Sequence, residues 1–299
     1  MTPLTASAPV HVAAAWDTAE VARYRRDGAI VVPRLFAAED LTRAHDAIAE
    51  LTRSARAPGA DHAAILEFEP EPVDGQQVPR RIYDPFLQHQ AFRALATDAR
   101  VLDRVESLIG PDIAIQHSKL NMKCARVGSS VEWHQDLTYF PHTNSDLVTV
   151  LIYLDDATEE NGCLQVLPGQ HHHFFDHTRA DGTFAGMIAE DLSGCGTPVP
   201  LPAPAGSAIF MHCLTPHSSL TNRSDQARRT LIFEYRAADA FPIWFGDGVT
   251  ASERKTCHLR GSPARTARFG GPPPPIPRFP STMPSLYEVQ RQTKSLPRS

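Results

Sequence analysis

Apolar positions in the first third of the chain recur at the spacing of helices, and beyond residue 111 they switch to the alternation of strands. Asp17-Thr18-Ala19-Glu20 is an acidic variant of the capping-box pattern, and the helix it opens is expected to end near Asp27-Gly28. Ala29-Ile30-Val31-Val32 reads as a short buried strand stopped by Pro33. From Glu39 to about Ser54, Leu41, Ala44, Ile48 and Leu51 fall at helical spacing with charges between them, which predicts an amphipathic helix. A further helix is predicted from about Asp98 to Ile109, stopped by Gly110-Pro111. The stretch from Ala57 to Asp84 has no clear period and is rich in Pro, Gly and charge, so it is expected to be mobile or to act as a lid.

From Ile113 to Lys123 the alternation of a strand puts Ile113, Ile115, His117, Lys119 and Asn121 on one face. Leu147 to Leu154 is apolar on both parities, the mark of a central buried strand. Asn161-Gly162 signals a tight turn, Cys163–Leu167 a returning strand, and Pro168-Gly169 another turn. Residues 176–197 are expected to form a long loop, and the alternating prolines of Pro198–Pro204 an extended edge. Ala208–Met211 and Arg229–Tyr235 then read as strands, with the polar turn Thr221–Asp225 between them. Strand, turn and strand follow one another without helices, so the fold class is mainly β with flanking α-helices, its core a closed antiparallel double sheet of the jelly-roll kind.

At 299 residues, with 42% hydrophobic and 21% charged residues, the chain is long enough for one large soluble domain. The reading is a flexible leader over 1–16, the domain over 17–240, and a Pro-rich basic extension over 241–299. The net charge of −5 is unevenly spread: residues 251–299 carry nine Lys/Arg against two Glu, which leaves residues 1–250 at −12. A core this acidic is a poor partner for nucleic acid, and the basic tail is expected to be a solvated segment, with Gly270–Pro277 extended as polyproline. Five scattered cysteines without a Cys-x-x-Cys pair read as reduced thiols. With neither a signal peptide nor a membrane-spanning run in view, the expected location is cytoplasmic.

The chemistry concentrates at His134-Gln135-Asp136. Residues i and i+2 of a strand share a face, so this spacing aims an imidazole and a carboxylate at one point. His217 offers a third ligand, and two histidines with one carboxylate leave open positions for a cosubstrate and oxygen on a non-haem iron. Eleven residues on, Arg228 has the planar fork that meets a carboxylate bidentately. A hairpin that leaves the metal and returns would bring Arg228 to the open side, with Arg229 pointing outward. The bare triplet His-x-Asp is most often a surface loop, Gln116 and His117 are equally read as core polar groups, and His171-His172-His173 is read as solvated, without a role.

Four ordered blocks set that triplet in a wider pattern: His134-Gln135-Asp136-Leu137 with Tyr139-Phe140-Pro141, Asn161-Gly162-Cys163-Leu164, Pro168-Gly169, and His217-Ser218-Ser219 with Asn222, Ser224 and Arg228. Together they resemble the phytanoyl-CoA dioxygenase family, over roughly residues 17–240. The resemblance implies a double-stranded β-helix (cupin-like) core and an Fe(II)- and 2-oxoglutarate-dependent dioxygenase using O2. His134, Asp136 and His217 would hold the iron, and Arg228 and Ser219 would hold the far carboxylate of 2-oxoglutarate. Asn121 matches an asparagine near the cosubstrate in ectoine-hydroxylase-like relatives. Arg81 is the nearest match to a basic residue that contacts 2-oxoglutarate in the founding enzyme, or else one of an ordinary surface arginine pair. Tyr139 and Phe140 would line a small-molecule pocket or pack in the core. Related halogenases carry a small residue where Asp136 stands, so hydroxylation, desaturation or epoxidation is implied rather than halogenation. Two positions depart from the family: Ile152, at about the place of a cosubstrate-enclosing tryptophan, and Gln170. The competing class is a jelly-roll binding or regulatory protein that keeps the ligands without turnover.

Overall fold

The capping box read at Asp17 forms: Asp17 Oδ1 accepts from the Glu20 amide at 2.7 Å, and the Asp17 amide donates to Glu20 Oε2 at 2.9 Å. It opens α1 (Thr18–Asp27), which ends where Gly28 turns into the left-handed region at φ 79°. The computed structural model describes residues 16–55, 65–72, 75–243, 256–273, 277–279 and 284–295. Most of the 1–16 leader and part of the proline run lie outside these residues.

Two antiparallel sheets make the core. The larger is ordered β1 (Ala29–Val32), β9 (Ala208–His212), β6 (Leu147–Tyr153), β11 (Arg228–Ala237), β4 (Ile113–Lys123), β3 (Pro79–Tyr83), β2 (Leu66–Phe68), with β12 (Cys257–Arg260) also paired to β4. The smaller is ordered β5 (Val131–His134), β10 (His217–Ser219), β7 (Leu164–Val166), β8 (Val199–Pro200). Helices α2 (Ala38–Ala55), α3 (Pro85–Gln88), α4 (Gln90–Ala96) and α5 (Ala99–Ile109) precede β4. Ile48 and Leu51 of α2, Phe92 of α4 and Val105 of α5 share one core with Leu120, Val150, Ile152 and Phe233 on the outer face of the larger sheet. Each such side chain, taken wholly out of water, contributes about 1.5–3 kcal/mol.

Alternation sends the other residues of the same strands inward. In β6, Val148, Val150 and Ile152 join the helix-side core, whereas Leu151 and Tyr153 pack with Ile209, Met211, Ile232 and Val166 between the sheets. The inner face of the larger sheet thus becomes the floor of the site.

Four expectations need correction. The 57–84 stretch holds two strands: β2 pairs with β3, and β3 with β4. Their alternation is too short to read, and the pairing is secured by buried Leu66 and Ile82 and by Arg80 against Glu67. Second, β10 and β11 are not a hairpin; one lies in each sheet, so the 220–227 turn crosses between them. Third, the basic tail is solvated only in part: residues 261–273 are mostly exposed, but described arginines on it are tied to the body. The acidic body gives its arginines partners: Arg260 pairs Asp103 and Glu106, and Arg268 pairs Asp146 and Asp239. The fourth is a helix the sequence did not announce, α6 (Leu286–Ser295), which docks through buried Tyr287, Val289 and Gln290. Among the described residues no helix is long and apolar enough to cross a membrane.

Candidate metal and cosubstrate site

His134 ends β5 and faces His217 across the β5–β10 pairing. Their rings stand 4.0 Å apart between centroids. Asp136 is not on the strand: the chain leaves β5 after His134 and coils into a 3-10 turn, Asp136–Thr138, that swings the carboxylate back toward both rings. Its Oδ1 lies 3.9 Å from His134 Nε2 and 3.8 Å from His217 Nε2. All three ligand atoms fall within 4.8 Å of one another, and all three residues are buried.

The surroundings prepare these groups for a cation. His134 Nδ1 donates to the Glu132 carbonyl at 2.8 Å and His217 Nδ1 to the Thr215 carbonyl at 2.9 Å, which fixes the tautomer that turns a lone pair on Nε2 inward. Burial, then the neighbouring His217, drives the His134 pKa well below its ordinary value, so the ring is neutral. Burial alone would raise the Asp136 pKa, but the adjoining ring of His217, the Lys119 ammonium, the ring of His134 and a 2.7 Å bond from Thr149 Oγ1 outweigh it and keep the carboxylate ionised. Gln135 between them is fully buried and pins the turn: its amide nitrogen donates to the His173 and Leu214 carbonyls, and its oxygen accepts from the Phe175 amide. Two imidazoles and one carboxylate converging from fixed positions fit a divalent iron.

The triad borders a cavity of about 620 Å³, counting its open mouth. Arg81, Asn121, Ser219 and Arg228 line the same cavity. Arg228 is 4% exposed; its guanidinium donates to Thr230 Oγ1 and to the Gly162 carbonyl, and its Nε has no partner. Arg81 Nε donates to Asn121 Oδ1 at 2.9 Å, while Arg81 Nη2 likewise has no partner. Two buried guanidinium N–H groups left unpaired beside one cavity suit a carboxylate-bearing ligand such as 2-oxoglutarate. Arg229, of opposite parity, turns outward to Asp155 as its position predicts.

Tyr139 packs edge-on against His134, 5.6 Å between ring centroids, and its hydroxyl donates to the Gly186 carbonyl. Phe140 stands edge-on to His117 at 4.8 Å. Neither ring borders the cavity. Ile152 faces the helix-side core, and its neighbour Tyr153 is on the cavity wall. The departure at Ile152 therefore does not alter the wall.

Several lining residues escaped the sequence reading. Lys119 and Lys123 flank Asn121 at a spacing of two, so the period that placed Asn121 inward also placed them. Thr149 sits in an apolar run, and only its cross-strand partner Glu234 hints at a polar row. Leu286 and Tyr287 come from α6, and Tyr287 lies under the guanidinium carbons of Arg80 and Arg81, 4.1 and 4.9 Å from its ring centroid. No motif announces them.

Comparison with known proteins agrees with this geometry. Residues 24–230 match the family described as phytanoyl-CoA dioxygenase (PhyH). Over 227 residues the chain is 30% identical to a probable alpha-ketoglutarate-dependent hypophosphite dioxygenase of Stutzerimonas stutzeri, covering 74% of this chain and 78% of that one. It is 27% identical over 242 residues to the L-proline trans-4-hydroxylase of Streptomyces griseoviridis, covering 74% and 86%. Among solved structures, EctD from S. alaskensis with 2-oxoglutarate and 5-hydroxyectoine superposes with a TM-score of 0.64 at 22% identity, over 94% of this chain and 93% of that one.

Proposed function

The chain belongs to the phytanoyl-CoA dioxygenase family of iron- and 2-oxoglutarate-dependent oxygenases, and from that membership and the cavity we propose that it hydroxylates an unactivated C–H bond of a small molecule. The observation that carries the reading is the meeting, in one cavity, of the His134–Asp136–His217 triad with the unpartnered Nε of buried Arg228. With iron and 2-oxoglutarate bound, the group's chemistry converts 2-oxoglutarate and O2 to succinate and CO2, one oxygen atom entering succinate and the other the substrate C–H bond.

The chain's own residues bind, orient and exclude water. His134 and His217 present Nε2 lone pairs, and Asp136 supplies the anionic ligand, oriented by Thr149. In this reading Arg228 meets the distal carboxylate of 2-oxoglutarate with Nε, held in place by its bonds to Thr230 and Gly162, and Ser219 donates a second hydrogen bond. Arg81, steadied by Asn121, closes the same end. Leu151, Leu164, Val131 and Ile232 give the cavity its apolar wall, which keeps water from the reacting centre. Tyr139 and Phe140 act at one remove from the substrate, as supports of His134 and His117. Residues 17–240 form the catalytic domain, and 241–299 an extension whose helix adds to the wall. The names of the relatives denote small polar substrates, hypophosphite and L-proline, which supports a small-molecule substrate here.

Loading the protein anaerobically with Fe(II) and adding 2-oxoglutarate tests this. A weak visible charge-transfer band is expected, and Arg228→Ala should weaken cosubstrate affinity about 10–100-fold, the size of a lost charge-assisted bond. Asp136→Ala should abolish the band. A folded parent that gives no band with both added would favour a binding protein without turnover. Oxygen-18 from O2 appearing in the product distinguishes hydroxylation from desaturation.

A further inference from the structure

Among the described residues, four cationic side chains border the cavity, Arg81, Lys119, Lys123 and Arg228, and beside them one carboxylate, Asp136. Three of the cations have structural or cosubstrate work. Lys123 Nζ donates to the backbone carbonyls of Ser129, Leu220 and Ser219. Arg228 and Arg81 are held as described, with their spare N–H groups at the end assigned to 2-oxoglutarate.

Lys119 differs. Its ammonium has three protons to donate, and it forms a long ion pair with Glu234 Oε1 at 3.6 Å, which leaves donor capacity to spare. Glu234 Oε1, fully buried, is also without a hydrogen-bond partner. The Lys119 side chain keeps 21% of its surface accessible, so the group is reachable from the cavity. A half-buried ammonium held only by a long ion pair offers its remaining protons to a ligand oxyanion that enters the cavity. Its place on the sheet is specific. Lys119 lies opposite Ile232 in the β4–β11 register, between the row of Asn121 and Thr230 on one side and the row of His117 and Glu234 on the other. Glu234 in turn pairs with Thr149, which bonds Asp136. Lys119 therefore stands on the triad side of the cavity floor, away from the Arg228 end, where a substrate must come to meet the metal.

We propose that Lys119 is the substrate-recognition residue of this cavity and that the substrate carries a compact oxyanion, a carboxylate or a phosphorus oxyanion, which pairs with the Lys119 ammonium beside the metal triad. The inference rests on the oxygenase reading above and narrows its substrate class. Because the same cavity must also hold 2-oxoglutarate, the anion-bearing substrate is small.

Calorimetric titration of the Mn(II)-loaded full-length protein tests the proposal without turnover. 2-Oxoglutarate is titrated first, then methylphosphonate, propionate and the uncharged propionamide, each into the ternary complex. The parent should take up 2-oxoglutarate and then one or both anions, with propionamide at least 10-fold weaker. Methylphosphonate binding with propionate silent assigns a phosphorus oxyanion, and the converse assigns a carboxylate. Lys119→Met should cut anion affinity at least 10-fold and leave 2-oxoglutarate affinity within about 2-fold. Lys119→Arg should restore most of the anion binding. Should Lys119→Met unfold, Lys119→Gln serves in its place: it keeps a polar side chain of similar reach, removes the charge and should likewise cut anion affinity at least 10-fold. A loss of 2-oxoglutarate affinity in Lys119→Met equal to that of Arg228→Ala would assign Lys119 to the cosubstrate and overturn the proposal. So would equal uptake of propionamide and the anions, or no second binding event for any of them. A parent that binds Mn(II) but no 2-oxoglutarate would instead overturn the oxygenase reading on which the proposal stands.

Discussion

A threonine hydroxyl has one proton to give, and Thr149 Oγ1 lies 2.7 Å from Asp136 Oδ2 and 2.7 Å from Glu234 Oε2. It can donate to one carboxylate and accept from the other, so one of the two must carry a proton. Burial, then the neighbouring Asp136 charge, pushes the Glu234 pKa above the ordinary carboxylate range, whereas Asp136 is held down. The proton order is therefore Glu234 to Thr149 to Asp136, and it leaves the metal-side carboxylate anionic. Thr149→Val keeps the shape and removes the relay. Mn(II) affinity measured by calorimetry is expected to fall about 10–100-fold, as is usual when a ligand loses its orienting partner, and Thr149→Ser should retain it. Unchanged affinity in the valine variant would mean that the 3-10 turn alone orients Asp136.

At the scale of elements, α6 completes the site from far along the chain. Tyr287 spreads under Arg80 and Arg81, and Gln290 ties the helix to the Gly186 carbonyl and the Glu132 amide. Tyr287→Ala is expected to weaken 2-oxoglutarate binding about 3–10-fold by freeing Arg81, roughly the worth of a partly buried cation–π contact, while Mn(II) affinity stays at the parent value. Loss of both affinities together would show that α6 supports the whole barrel rather than one wall. The elements also mark what was legible in the sequence. The alternation of β4 and the two-sided apolar run of β6 gave strand type and burial, because period two is a local property, but the shared face expected for Ile113 to Asn121 fails: a bulge at Gln116, opposite Glu234 and Tyr235, turns Ile113 and Ile115 to the helix side and leaves His117, Lys119 and Asn121 on the other face. The Asn161-Gly162 turn was legible as a turn: Gly162 has φ 75°, and a Cβ there would meet the Leu220 carbonyl at 2.2 Å. That its own carbonyl anchors Arg228 was not legible, since the partner lies in another strand. For the same reason the separation of β10 and β11 into two sheets was hidden, as was the 3-10 turn at Asp136, where three residues carry no period at all.

The whole molecule buries neutral histidines, and this sets how it responds to acid. His142 donates through Nδ1 to the Phe140 carbonyl and approaches Gln116 through Nε2, and its pKa is lowered by burial to about 3. His177 accepts the Gln135 amide on Nε2, and burial lowers it to about 4. Unfolded, both rings take up a proton near pH ~6.5; folded, they resist until about 4 and about 3. The unfolded chain therefore binds more protons across this window, and stability is lost as pH falls through it. Each group contributes a slope of about 1.4 kcal/mol per pH unit, roughly 2.7 for the two together. Urea denaturation at pH 7, 5.5 and 4.5 should show that decline, whereas a flat profile would mean the rings are charged in the folded state.

The pairing of the first strand with a late one has a consequence for how the protein is made. Ala29 of β1 lies opposite Met211 of β9, and His134 opposite His217, so the barrel closes only after most of the chain is available. Contacts this distant are slow to form, because loop closure costs entropy before pairing returns anything. The iron ligands thus meet only through pairing of strands distant in sequence. A metal ion finds no site in the half-folded chain to guide it, and its hold is expressed instead as a slower escape from the finished barrel.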